Sequence, residues 1–141
     1  MNLKGCFSHK SDIWETPKDI YEYFMKRDYF DPCPINPKFN GLEIDWKERN
    51  FVNPPYSELN KWVNKAISER HKGHLVVMLI PARTDTKAFR NLYDSGASFM
   101  FITGRLRFSQ KNSAPFPSVL VVLGDSEQEF GFIDKDYFLW R

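Results

Sequence analysis

Leu75-Val76-Val77-Met78-Leu79-Ile80-Pro81 is a run of six apolar residues stopped by a proline. A run this short and continuous has the character of a strand buried on both faces, which requires helices on each side of its sheet. The flanking sequence agrees. Upstream, Leu59, Trp62, Val63, Ala66 and Ile67 share one face of a predicted helix, with Lys61, Asn64 and Lys65 outside it. Ser57 is the expected cap of that helix and Gly73 its stop. Downstream, residues 86–94 read as a second helix with Phe89, Leu92 and Tyr93 inward, ended by Gly96. Residues 99–102 and 119–123 are apolar strands, and the aromatic tail 130–141 is expected to pack as a last strand or helix.

Toward the N-terminus, Thr16-Pro17-Lys18-Asp19 reads as a helix start. Thr16 would be its N-cap and Pro17 lies in its first turn, with Ile20, Tyr23 and Phe24 following at helical spacing. Tyr29-Phe30-Asp31 is a short strand ending at Pro32, residues 42–45 are a further candidate strand, and Phe51-Val52 ends another. Alternating strands and helices with doubly buried strands give an α/β architecture: a mostly parallel central sheet flanked by helices, in a compact version. Ligands of such sheets bind beyond the carboxyl ends of the strands, where Asp31, Asn53 and Arg83 all fall.

The 141 residues are read as one domain, 1–141, long enough to bury roughly two-thirds of the unfolded surface. Hydrophobic content of 42% and charged content of 27% are ordinary for a globular chain. A net charge of +2 is too small to argue for nucleic acid, so the placement of the cations must carry that case. No apolar run approaches the ~20 residues of a membrane span. With no signal-like start, a cytoplasmic setting is expected, with Cys6 and Cys33 as free thiols. Cys6, His9 and Cys33 lack a paired Cys-x-x-Cys and a fourth ligand, so no metal site is expected.

Function concentrates at Asn53-Pro54-Pro55-Tyr56. Two prolines lock the backbone just after a strand and donate no N–H, which makes the loop rich in acceptors. Such a loop can hold the Asn53 side-chain oxygen and the Pro54 carbonyl on one side of a planar –NH2 group, with Tyr56 stacked on the heterocycle that carries it. Farther along, Arg83, Lys87, Arg105, Arg107 and Lys111 cluster in two stretches that follow strands. Arg105 and Arg107 alternate with Leu106 and Phe108, so one face is basic and the other apolar. Neutralising phosphates is the physical reason for such a pattern.

Asn-Pro-Pro-Tyr resembles the catalytic motif of methyltransferases that act on amino nitrogens with S-adenosylmethionine. Other segments extend the likeness: Trp14-Glu15-Thr16-Pro17, Asp31-Pro32-Cys33, Gly41-Leu42 with Asp45-Trp46, and Lys61-Trp62-Val63. Residues 79–86, Gly104-Arg105-Leu106-Arg107-Phe108 and Ala114-Pro115-Phe116-Pro117-Ser118 continue it. Over roughly residues 11–123 the chain is similar to the phage-type DNA N6-adenine methyltransferases, small relatives of the Dam enzymes. The resemblance implies a Rossmann-like methyltransferase fold, S-adenosylmethionine as methyl donor and adenine N6 in DNA as acceptor, in a bacterial or phage-infected cell. Carried onto this chain, Asn53, Pro54, Pro55 and Tyr56 would be catalytic. Trp14, Thr16, Pro17, Asp31, Pro32, Cys33 and Asp45 would lie along the cofactor, while Arg83, Lys87, Arg105, Arg107 and Lys111 would meet DNA. Asp31-Pro32-Cys33-Pro34 stands where wider methyltransferases carry a glycine-rich loop. Competing readings are cytosine N4 methylation, methylation of protein glutamine, and a catalytically dead domain that only binds nucleic acid.

Overall fold

The computed structural model describes residues 14–108, 113–124 and 127–141. Five strands form one sheet: β1 (Arg49–Val52), β2 (Leu75–Pro81), β3 (Ser98–Thr103), β4 (Ser118–Leu123) and β5 (Phe130–Asp134). Their order across the sheet is β1-β2-β4-β3-β5. β1 runs parallel to β2 and β3 parallel to β5, whereas β4 is antiparallel to both its neighbours. Four strands therefore point one way and one points back, and the sheet is mixed. Among the described residues three α-helices accompany it: α1 (Lys18–Met25), α2 (Leu59–His71) and α3 (Lys87–Asp94).

The two faces carry separate cores. On one, Trp62, Val63 and Ala66 of α2 and Ala88 and Leu92 of α3 pack on Val52, Val76, Met78, Ile80, Val119 and Val121. On the other, Ile20 and Phe24 of α1 pack on Phe51, Val77, Leu79 and Leu120. Alternate residues of β2 thus enter opposite cores, which is why its sequence is apolar without a break.

Several expected details change. Thr16 does not cap α1: Pro17 occupies the cap position and no side chain bonds there. Ser57 likewise lies inside a 3₁₀ turn, Tyr56–Glu58, and α2 begins only at Leu59. Thr86 does cap α3, accepting a hydrogen bond from the Phe89 N–H at 3.3 Å. Phe30 makes a single parallel bridge to Asn50 rather than a strand, and no strand forms over residues 42–45, where a turn and a bend lead into irregular chain. The tail forms β5 and a 3₁₀ turn, Tyr137–Trp140, yet Phe132 stays 74% exposed and Trp140 86% exposed. β5 is an edge strand, and among the described residues no helix covers its outer face.

Candidate active site

The carboxyl ends of β1, β2 and β3 share one rim, because these strands are co-directional. Asn53 leaves β1 there, between buried Val52 and two buried prolines, Pro54 and Pro55. Its carboxamide is held from behind: Nδ2 donates to the Trp14 carbonyl and, at 3.0 Å, to Thr16 Oγ1. Both N–H bonds are consumed, so the amide cannot flip, and Oδ1 is left as the acceptor. The Tyr56 hydroxyl reaches Oδ1 at a long 3.3 Å. Burial pushes that phenol above its ordinary range, so it stays a neutral donor.

Aromatic rings build the wall behind Tyr56. Its ring meets Phe116 edge-on at 5.4 Å, Phe116 meets Trp14 at 5.2 Å, and Phe108 closes the group at 5.9 Å from Phe116. No local motif assigns Phe116 or Phe108 to this wall. Their signal was the apolar spacing around Arg105 and Arg107, which turn outward while Leu106 and Phe108 turn in. The Leu106 carbonyl accepts from the Ala114 N–H at 2.8 Å, which draws the ends of this excursion together.

Phe30 lies beside β1, and its carbonyl accepts from the Phe51 N–H at 2.9 Å. Asp31, the next residue, therefore arrives at the same rim as Asn53. Its Oδ1 accepts from the Cys33 N–H at 2.9 Å, and the Tyr21 hydroxyl of α1 donates to the carboxyl group. Burial pushes the Asp31 carboxyl up to about 6 against the pull of those two donors. Burial and the neighbouring carboxylate in turn push the Tyr21 phenol up to about 12. Tyr21 was missed by the sequence reading; its position on the buried flank of α1, beside Ile20, is the only sequence signal for it. Pro32 is buried with its carbonyl against Gly41, where any Cβ would collide with it. Cys33 is half-buried and packs toward the α2 core.

Asp45 does not join this site. It pairs with Lys72 at 2.9 Å, just past the C-terminus of α2, with its side chain 87% exposed. The segment from Gly41 to Trp46 descends the α2 face to reach the start of β1, which carries Asp45 to the opposite end of the sheet. Trp14, Thr16, Pro17, Asp31, Pro32 and Cys33 lie at or near the rim, and Asp45 lies away from it.

Arg83 follows β2 and sits over the Phe116 ring at 6.0 Å from its centroid. Lys87 opens α3. Both line a cleft of about 660 Å³ with Tyr56, Glu58, Lys61 and Pro81. Arg105 and Arg107 are exposed beyond β3, Arg105 reaching the Ala114 carbonyl at 3.4 Å. Lys111, Cys6 and His9 fall outside the described residues.

Helices on both faces of a mixed sheet define a three-layer α/β domain, and its carboxyl-end rim gathers a held carboxamide, an aromatic wall, a carboxyl group and flanking cations. Sequence comparison makes this particular: residues 6–130 match the DNA N-6-adenine-methyltransferase (Dam) family, and the chain belongs to it. It is also similar to the protein of Escherichia phage T1 named DNA N-6-adenine-methyltransferase, at 27% identity over 110 residues. That match covers 67% of this chain and 46% of the relative, so the chain spans about half the length of the curated relative it matches. No solved structure matches it.

Proposed function

We propose that this domain transfers a methyl group from S-adenosylmethionine to the exocyclic N6 amine of adenine in DNA, on a Rossmann-like methyltransferase fold. The observation that carries the reading is the fixed Asn53 carboxamide, whose two N–H bonds are spent on Trp14 and Thr16. Oδ1 is thereby left as an acceptor on the residue that precedes Pro54, whose carbonyl is the second acceptor of this reading. The amine of adenine is a poor nucleophile because its lone pair is delocalised into the ring. Asn53 Oδ1 and the Pro54 carbonyl accept its two hydrogens, which favours a pyramidal nitrogen and stabilises the positive charge that grows on it. The contribution is orientation and electrostatics rather than a carboxylate base.

The rim suits the cofactor. Asp31 is a carboxylate with two donors already bound and acceptor capacity left for ribose hydroxyls or an amino group, and Trp14 supplies an apolar surface beside Asn53 and Phe116. Thr16, Pro17, Pro32 and Cys33 complete that side. S-adenosylmethionine supplies an electrophilic methyl group when bound. A target adenine leaves the duplex stack to reach this loop, and Tyr56 holds it by stacking, worth about 1–3 kcal/mol. Arg83, Lys87, Arg105, Arg107 and Lys111 neutralise flanking phosphates, which predicts binding that weakens steeply with salt.

The test is transfer of labelled methyl from S-adenosylmethionine to unmethylated DNA, followed by nucleoside digestion. N6-methyladenine made by the wild type and lost in Asn53→Ala, with cofactor binding retained by calorimetry, supports the assignment. Asp31→Ala is expected to weaken cofactor binding instead. A folded protein that binds DNA but neither binds the cofactor nor labels DNA overturns the reading in favour of a binding domain.

A further inference from the structure

The cleft next to Tyr56 carries a combination that phosphate binding alone does not explain. Lys61, Arg83 and Lys87 line it, and so does one carboxylate, Glu58. Among the described residues, no acid pairs with Arg83 or Lys87. Glu58 spends Oε1 on Lys61 at 3.4 Å, while Oε2 is shut from solvent with no hydrogen-bond partner. An ionised carboxylate is acceptor-only, so its partnerless oxygen calls for an N–H donor, which it can meet by rotating into the cleft that Glu58 lines. A bare phosphate would satisfy the cations and be repelled by Glu58.

We infer that this cleft takes the nucleotide beside the target adenine, with Arg83 and Lys87 on its phosphates and Glu58 reading an amino group on its base. The inference rests on the reading of residues 53–56 as the target-base pocket, with which the cleft shares Tyr56. Glu58 is then a specificity residue. Carboxylates accept from cytosine N4, whereas thymine shows only an acceptor and a methyl group in the major groove. Glu58 turns its free oxygen outward as the base arrives and exchanges an unsatisfied state for a charge-assisted bond.

A pool of duplexes with one adenine between randomised flanks tests this: bound and free fractions are separated by filter retention and sequenced. The wild type is expected to enrich an amino-bearing base at one flanking position by about tenfold. Glu58→Gln, nearly isosteric and checked for an unchanged melting temperature, is expected to lose or switch that preference while still retaining DNA. Arg83→Ala and Lys87→Ala are expected to lower retention of all sequences alike. An unchanged preference in Glu58→Gln, or none in the wild type, overturns the inference. Labelled-methyl transfer to the same pool separates the two readings. Transfer with a flank preference indifferent to Glu58 sinks this inference alone, and absence of both transfer and retention sinks the proposed function with it.

Discussion

Asn53 Nδ2 and Thr16 Oγ1 lie 3.0 Å apart across 37 residues of sequence, and this bond joins the one to the Trp14 carbonyl in holding the Asn53 carboxamide in place. The hydroxyl that reads locally as a helix cap is used instead to lock a side chain at the end of β1. Thr16→Val keeps the shape and removes the acceptor, so the amide is held by the Trp14 carbonyl alone and its plane is less firmly fixed. Turnover is expected to fall about five- to tenfold, the worth of one hydrogen bond, with little change in KM. Thr16→Ser should restore it. Equal activity in Thr16→Val and wild type would show that the Trp14 carbonyl suffices.

Asp31 ties stability to pH. Its carboxyl titrates at about 6 in the fold, mainly through burial, against an ordinary value of 3.8. As pH rises between those values the unfolded chain releases its proton before the folded one, so stability falls across that window. Asp31→Asn removes the effect and should gain on the wild type by on the order of 2 kcal/mol from pH 4 to pH 7. Urea titrations at several pH values measure it. Parallel profiles for the two proteins would mean that the carboxyl is not held as described.

Glu69 has the opposite sign in a lower window. It is fully buried in α2 and binds Lys72 at 2.9 Å, Lys65 at 3.0 Å, His74 at 2.8 Å and the Trp46 N–H at 3.1 Å. Burial pushes its carboxyl up, but these four partners outweigh it and bring it down to about 2 from 4.5. Its contribution is therefore whole above about pH 4.5 and disappears as pH falls toward 2. Glu69→Ala strands the Trp46 N–H and Lys65, at a cost of about 3 kcal/mol at neutral pH. The gap between the two proteins should close on acidification; a gap that is constant down to pH 3 contradicts the ion cluster as its source.

Local chemistry explains which of these features the sequence discloses. β2 is legible because burial on both faces leaves no polar residue in it, and Thr86 is legible because a cap acts within three residues. The reversal of β4 is not legible: an apolar strand looks the same in either direction. Thr16 and Asn53 meet only through tertiary structure, so the cap was the available reading. Asp45 adjoins Trp46 in sequence, yet the descending segment carries it away from the rim. Glu69 did leave a trace. It continues the Trp62 and Ala66 stripe of α2, where an acid announces a buried ion cluster.

Gly41 is where the loop behind Asp31 depends on the α2 core. A Cβ there would overlap the Pro32 carbonyl oxygen and lie 2.9 Å from Trp62 Cη2, and Trp62 is fully buried. The Gly41 carbonyl also accepts from Trp46 Nε1 at 2.7 Å, so the backbone cannot retreat without breaking that bond. Overpacking of this kind costs about 1–3 kcal/mol. Because Pro32 yields more readily than a buried tryptophan, Gly41→Ala should displace the Asp31–Cys33 turn. The expected result is a lower denaturation midpoint together with weaker S-adenosylmethionine binding by calorimetry, while DNA retention through Arg83 and Lys87 persists. Lower stability with unchanged cofactor affinity would separate this turn from the cofactor and move its contact toward Trp14 and Thr16.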